Sequence, residues 1–413
     1  MAGMRLKRTP RVAVSAYFLA GGVGLGAWAA SLPALSVRGD LDKGELGIVL
    51  LSFAAGAIIA MTNTGRIVAR HGTAFVCIPG ALTFGAVLLA VPFVASSFWG
   101  LMALIFIGGG AFGALDVSMN TEASFLERQV NRHIMSSFHA VFSFGNLIGA
   151  GASAQLLRAG GTMDTCLTAG AISVFVLTAF AWRWAPAVRH GGGTREKSVR
   201  IAPKFDGDQN RLLWLLGGVA FLGLLSEGAL MDWSAIYLVS AVGTSESAGA
   251  LGFAIFAAAM AISRRLGDFA AHALGPARLL RYGAGMTALA LGVALVLNSH
   301  AATYVALALC GVGIANVVPI VFSAAGRIGG GGGGAAEAGG TPMGGCGGLV
   351  RPPPEGFLAP AMSRVTAMGY AGLLVGPPLI GFLAEATSLT ISLVTIVVFA
   401  CVVAYGARLV GKR

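Results

Sequence analysis

Twelve apolar stretches run along this chain of 413 residues. Crossing the hydrocarbon core of a bilayer takes about 20 apolar residues in a helix. Lipid offers backbone groups no hydrogen-bond partner, so each stretch should be helical. The sequence therefore predicts an all-α polytopic membrane protein with twelve transmembrane helices. The expected spans are 12–36, 46–63, 73–95, 98–120, 134–157, 164–184, 212–240, 247–263, 279–298, 301–325, 363–385 and 388–407.

Positive charge sorts to one side of these spans. With the N-terminus placed in the cytoplasm, 25 of the 28 Lys and Arg residues fall on cytoplasmic ends and loops, and the exceptions are Arg38, Lys43 and Arg158. Short loops rich in Lys and Arg stay on the cytoplasmic side during insertion. Both termini are therefore predicted to be cytoplasmic. The net charge of +11 is spread over seven cytoplasmic segments without interleaved aromatics, which favours lipid headgroups over nucleic acid as counter-ions.

Other classes of site are not indicated. The five cysteines lie far apart without a Cys-x-x-Cys spacing, so we expect neither a disulfide framework nor a metal site. Gly108-x-Gly110 lies inside an apolar span and not after a strand, so it is no dinucleotide fingerprint, and no P-loop is present. No cofactor and no enzymatic activity are expected. One alternative concerns the N-terminus, where basic residues before an apolar run resemble a cleaved signal peptide.

The two halves of the chain look like copies. Trp28 corresponds to Trp233, and Gly72 to Gly275, at offsets of 205 and 203 residues. Gly108–Gly110 corresponds to Gly311–Gly313 at an offset of 203, and Asn146–Gly149 to Pro378–Gly381 at 232. Parallel six-helix repeats are a known transporter architecture, and such a repeat needs the first span to be retained. We therefore expect two pseudo-symmetric six-helix bundles.

The expected domains follow from this repeat. They are an N-terminal bundle over 1–184, a cytoplasmic linker over 185–211 and a C-terminal bundle over 212–413. The jump in offset falls on a Gly- and Pro-rich insert at 328–358. Its composition is typical of a disordered loop. Two interpretations remain open, a true flexible insertion and a shifted reading frame.

The segment Gly65–Gly72 resembles the cytoplasmic loop motif of the major facilitator superfamily. Gly65, Arg70 and Gly72 match this motif, whereas Ala69 stands where the family has Asp. The corresponding segment of the second half, Arg265–Gly275, contains Asp268. The resemblance implies that Gly65, Arg70, Gly72 and Asp268 take part in gating.

Four further stretches resemble the YbjJ-like and fucose-permease-like bacterial group within that superfamily. They are 113–120, 139–145, 226–233 and 376–381. The resemblance implies the major facilitator fold and secondary active transport by a monomer. It implies no substrate.

Ionisable groups inside spans are costly and mark candidate sites. Glu227 falls near the middle of helix 7, while Asp232 lies nearer its outer end. Asp116 and His139 fall at similar depths in helices 4 and 5, and we expect them to meet. Such a pair would take up and release a proton near neutral pH. The proton-coupling candidates are thus Glu227, Asp116, His139 and Asp232, with structural hydrogen bonds as the alternative for each.

Further polar and aromatic residues are candidates for lining a substrate cavity. Asn120 shares a helix face with Asp116, and Asn146 shares one with His139. Pro33, Pro319 and Pro377-Pro378 can interrupt helices, and broken helices line many transport sites. The cavity candidates are Asn120, Asn146, Trp28, Trp233, Asn316 and Tyr370.

These observations predict a secondary active transporter of a small solute in the inner (plasma) membrane of a bacterium. Proton-coupled symport by alternating access is favoured. The first alternative is efflux of a metabolite or drug by proton antiport. Two others are a membrane sensor that binds its ligand without transporting it and a damaged gene product. The expected partners are a small-molecule substrate, protons and the lipid bilayer.

Overall fold

The computed structural model describes residues 8–130, 134–184, 207–329 and 358–410. Thirteen α-helices and a short 3₁₀ turn, Ala407–Leu409, build the described part. The first half contains α1 (Arg8–Arg38), α2 (Lys43–His71), α3 (Ala74–Val94), α4 (Phe98–Val130), α5 (Met135–Arg158) and α6 (Met163–Trp184). The second half contains α7 (Gly207–Ser240), α8 (Glu246–Leu274), α9 (Pro276–Leu297), α10 (His300–Ile314), α11 (Val317–Gly329), α12 (Leu358–Ala386) and α13 (Leu389–Gly406).

The predicted twelve spans are confirmed. Twelve helical segments of the described chain are long and apolar enough to cross a membrane. The largest differences are at the C-terminal ends of α8, α4 and α2, which run 11, 10 and 8 residues beyond the predicted ends at 263, 120 and 63. Charged residues occur in each of these extensions. A helix can continue past the apolar region because its long side chains reach water or headgroups.

The tenth span is interrupted. Its helix breaks at Ala315 and Asn316, so that α10 and α11 are separate elements. Pro319 lies in the first turn of α11, where its missing N–H costs no helical hydrogen bond. Pro33 and Pro377-Pro378, by contrast, lie within continuous helices. Of the three proline positions, only Pro319 accompanies a break in the helix.

Corresponding contacts appear in the two halves, as the internal repeat predicts. Gly72 and Gly275 end α2 and α8 with positive φ angles of 88° and 80°, and each backbone N–H bonds a carbonyl four residues earlier. Such a conformation favours glycine. A Cβ on Gly109 of α4 would lie 1.8 Å from the carbonyl oxygen of Phe53 on α2. Gly311 of α10 approaches the carbonyl of Phe256 on α8 in the same way, at 2.6 Å.

The helices pack in the same order within each half. In the first half α1 packs on α5 and α6, and α2 packs on α4; in the second, α7 packs on α12, and α8 on α10. Between the halves, α5 lies against α8 and α2 lies against α12. The structure is thus two pseudo-symmetric six-helix bundles that meet mainly along these two helix pairs, with further contacts of α1 on α7 and α8. Most of the predicted linker (185–206) and insert (330–357) lies outside the described residues, while 207–211 belong to α7.

The two ends of the interface differ. At the end far from both termini, α2 and α12 are in contact: a Cβ on Gly381 would lie 2.6 Å from the Lys43 carbonyl and 3.0 Å from the Gly47 Cα. There the Lys43 N–H also donates to Glu385 at 3.2 Å. At the end that carries the termini, α2 is exposed over most of 59–71, and a Cβ added to Gly65 would meet no described atom of another helix within 4 Å. As far as the described residues extend, the bundle is therefore closed at one end and open at the other.

Candidate functional site

A charged cluster joins the two halves in the apolar middle of the bundle. Arg264 of α8 donates through Nη2 to Glu227 Oε1 of α7 at 2.7 Å. Its Nη1 donates to Ser143 Oγ of α5 at 3.1 Å. One guanidinium thus connects a carboxylate of its own half with a hydroxyl of the other half. Glu227 was predicted as a site residue, and the structure places it at the centre of this cluster.

The pair is mostly removed from solvent, but its two members differ. The Glu227 side chain is 10% exposed and that of Arg264 is 22% exposed. A charge inside a membrane protein is tolerable when it is paired and hydrogen-bonded. The arginine is the more accessible member of the pair, so a molecule in the cavity meets it first.

Arg264 was missed in the sequence. The charge count placed Arg264 among the cytoplasmic ends and loops. This was wrong, because α8 continues beyond residue 263 and carries the Arg264 side chain into the bundle. The neighbouring Arg265 is exposed, as expected for a loop-side charge. A signal was available: Arg264 continues the helical spacing of Met260 and Gly267, both of which are buried.

His139 lies beside this cluster on α5. Its side chain is exposed, and its ring meets the edge of Phe18 at 5.5 Å between centroids. Arg264 lies within electrostatic range of it. His139 and Ser143 are one turn apart and so share a helix face. This face of α5 presents an imidazole and a hydroxyl beside the guanidinium.

Asp116 does not meet His139, so the expected contact between them is wrong. Within the described chain, these two side chains share neither a hydrogen bond nor an ion pair. Asp116 accepts a bond of 3.1 Å from Asn120 on the same helix. The reason is packing: α4 lies against α2 and α3, whereas α5 lies against α1 and α8. Neighbours in sequence are not neighbours in the bundle here.

Among the predicted aromatic residues, Tyr370 alone has substantial exposure. It lies on α12 with 42% of its surface exposed, within electrostatic range of Asp116 and Glu227. Trp28 is buried, and Trp233 is fully buried and donates to the Pro377 carbonyl at 3.1 Å. Tyr370 is therefore placed to face the cavity, and the two tryptophans are part of the packing.

The remaining polar candidates lie apart from the ion pair. Asn316, at the break between α10 and α11, donates to Ser263 of α8 at 3.0 Å and braces these helices. Asn146 is buried, and its Oδ1 has no donor among the described residues. Asp232 is half-buried, and the described chain gives its carboxylate no bonding partner. The structure thus does not gather all of the predicted residues into one site.

The gating candidates lie at the open end. Gly65 and Arg70 are exposed on the last turns of α2, and Gly72 ends this helix. The side chain of Asp268 lies outside the described residues, so its predicted contribution stays a prediction. The structure places the other three at the C-terminal end of α2, which makes no close contact with the described residues of the second half.

Comparison with known proteins places this geometry among transporters. The profile of the Major Facilitator Superfamily matches residues 16–341. An uncharacterised MFS-type transporter of Yersinia pestis is 32% identical over 345 residues, covering 83% of this chain and 87% of the relative. Membrane protein MosC of Rhizobium meliloti is 29% identical and covers 86% and 85%.

Solved structures show the same fold. The nucleoside transporter NupG, in a mutant form, aligns with a TM-score of 0.73 at 14% identity, covering 98% of this chain and 100% of that one. A bacterial homologue of the lysosomal transporter Spinster, in an inward-facing and unoccupied conformation, aligns with a TM-score of 0.71 at 14% identity, covering 98% and 97%. At this identity the likeness concerns the fold alone.

Proposed function

We propose that this chain, which belongs to the major facilitator superfamily, carries a small solute together with a proton through Glu227. The chain is a membrane transporter of that superfamily. Symport by alternating access is the function that the charged cluster supports best. The observation that carries it is the bonding of Arg264 to both Glu227 and Ser143.

The cluster can link protonation to the movement of the two halves. An ionised Glu227 holds the Arg264 guanidinium close to α7, in a position from which it also reaches Ser143 of α5. A proton on Glu227 removes the charge that attracts Arg264. The contact between α5 and α8 then changes its strength, and with it the relative stability of the two arrangements of the halves.

The open end supplies access to this cluster. His139 and Tyr370 are exposed near the cluster, so solute and protons can enter from the end that carries the termini. The packing of Gly47 against Gly381 blocks the opposite end. Rocking of the halves about the central cluster would exchange these two states. On the predicted topology, the open end faces the cytoplasm.

The direct test compares the solute pools of cells that express the wild type, Glu227→Gln or Glu246→Gln. Glu246 is the matched control, since it is a carboxylate in the first turn of α8, far from the ion pair. We expect a compound that accumulates with the wild type and the control, that is lost with Glu227→Gln, and that is also lost when a protonophore removes the gradient. Equal, protonophore-insensitive accumulation by all three proteins would refute proton coupling. A compound depleted only by the wild type and the control would indicate antiport.

A further inference from the structure

The accessible member of the ion pair is a cation, and this determines which solute can replace its partner. Arg264 is exposed to about twice the extent of Glu227, at 22% against 10% of the side chain. Arginine keeps its charge under all conditions a protein meets. Glutamate can become neutral by taking up a proton. The pair can therefore lose its negative charge but not its positive one.

A proton on Glu227 would leave Arg264 without its counter-charge in the apolar middle of the bundle. The other carboxylate of the cavity, Asp116, has no ion pair with Arg264 among the described residues and is bonded to Asn120. An unpaired charge in such a place is costly. The cost disappears if a negatively charged solute takes the place of the Glu227 carboxylate beside the guanidinium.

The groups around Arg264 also suit an anion. Ser143 Oγ is within its reach, and the hydroxyl can donate as well as accept. His139 is exposed on the same face of α5 and within electrostatic range of Arg264. A planar guanidinium matches a carboxylate in shape and can bind both of its oxygens. A hydroxyl and an imidazole beside it supply further donors.

We propose that the solute is a small organic anion whose carboxylate binds Arg264, next to His139 and Ser143, when Glu227 is protonated. This inference rests on the proposed function, because it takes proton uptake by Glu227 as given. Anion and proton then enter together: the Glu227 carboxylate becomes a carboxylic acid, and the solute carboxylate becomes the counter-ion of Arg264. The charge of the cluster is the same before and after binding, so each ligand promotes the binding of the other.

The charged groups that face Glu227 determine how its protonation depends on pH and on a bound anion. Arg264 from α8 is bonded to it, and Tyr370 from α12 lies within electrostatic range. His139 of α5 lies within electrostatic range of Arg264, and Asp116 of α4 lies within electrostatic range of Tyr370. The described residues of α1, α10, α11 and α13 bring no charged group into a bond with it. Arg264 is thus the dominant neighbour, and the bound anion acts directly on it.

The test uses the purified full chain in detergent and pairs of probes that differ in charge. Lactate is compared with lactamide, benzoate with benzamide, and gluconate with glucose, by the shift each causes in the unfolding temperature. We expect at least one carboxylate to stabilise the wild type while its neutral counterpart does not. One proton taken up per anion makes the apparent dissociation constant about tenfold weaker for each unit of rising pH.

Four variants complete the test. Glu227→Gln should bind the same carboxylate with an affinity that no longer depends on pH, and without removing protons from a weakly buffered solution. In Arg264→Gln the carboxylate should no longer raise the unfolding temperature. In Arg264→Lys part of the rise should remain, because an ammonium point charge replaces the guanidinium that binds both carboxylate oxygens. Glu246→Gln should behave as the wild type does.

Two outcomes separate this inference from the proposed function. If no carboxylate stabilises the wild type, or if the neutral probes stabilise it as well as the carboxylates do, the anion assignment is wrong. Proton coupling would stand in that case if the solute pools still depend on Glu227. If a carboxylate binds through Arg264 with an affinity that is the same at every pH, the anion site stands and proton uptake by Glu227 is wrong.

Discussion

Removing either partner of the central ion pair should have unequal consequences for stability. In Glu227→Gln the amide can still accept a bond from Arg264, but the guanidinium keeps a charge that nothing balances. In Arg264→Gln the carboxyl that remains can take up a proton and become neutral. We therefore expect Glu227→Gln to be the more destabilising of the two substitutions, although both proteins should still insert and fold.

The magnitude follows from the distance and the burial. Two unit charges about 4 Å apart attract by about 4 kcal/mol at an effective dielectric constant near 20, a value suited to partly exposed sites. Leaving one charge of a buried pair without its partner costs about 3–5 kcal/mol. Arg264 is 22% exposed and keeps its bond to Ser143. We therefore expect Glu227→Gln to lower the free energy of unfolding by about 2–3 kcal/mol, at or just below the low end of that range. Arg264→Gln should lower it by about 1 kcal/mol or less, because the remaining carboxyl can become neutral.

A double-mutant cycle isolates the interaction. The free energy of unfolding of the wild type, the two single variants and the double variant is measured in one detergent at one pH. In the double variant two neutral amides face each other, so most of the loss caused by Glu227→Gln should be recovered. We expect a coupling free energy of about 1.5–2 kcal/mol, within the usual range for contacting residues. Additive effects of the two substitutions would refute the ion pair, and a larger loss for Arg264→Gln would refute the argument from charge balance.

Two further predictions concern the closed end. Gly381→Leu should open this end, because even a Cβ at this position would lie 2.6 Å from the Lys43 carbonyl oxygen. Overpacking costs about 1–3 kcal/mol, which would shift the equilibrium between the two arrangements of the halves about 5–150-fold. Distances between spin labels on α2 and α12 at the closed end report this shift, and unchanged distances would contradict the prediction. Gly151→Leu is the control, since no atom of another helix lies within 4 Å of a Cβ there. Trp233→Phe removes the bond to the Pro377 carbonyl and should lower the free energy of unfolding by about 1 kcal/mol or more. The exposed Trp182→Phe is its control, and equal losses would show that the bond contributes nothing.

The number and order of the helices were predictable because they depend on composition alone. A run of about 20 apolar residues has one stable structure in lipid. The ends were less predictable, as α8 shows. Its apolar run stops at Ser263, where two arginines follow, but the helix continues to Leu274. Arg264 consequently lies inside the bundle, and the pairing that defines the site could not be found from composition.

A site residue was predictable only where its own position in the sequence was sufficient, without knowledge of how the helices pack. Glu227 stands in the middle of an apolar helix, and such a carboxylate must find a polar environment whatever the packing. The contact of Asp116 with His139 depended on which faces of α4 and α5 meet. These helices are joined by a short connection, yet each packs mainly on other helices. Relative rotation of helices is a property of the whole bundle, so two residues at equal depth need not touch.

The two main contacts between the halves differ in chemistry, and this separates their roles. The contact of α2 with α12 rests mainly on close packing of Gly47 and Gly381, which a proton cannot change, and its bond from the Lys43 N–H to Glu385 lies at the exposed end. The contact of α5 with α8 contains the bond from Arg264 to Ser143, whose donor is held by Glu227. A proton on Glu227 therefore acts on the second contact and leaves the packing of the first unchanged. It follows that Gly381→Leu should change the balance between the two arrangements and leave their dependence on pH intact, whereas Glu227→Gln should remove that dependence and leave the packing of the closed end unchanged.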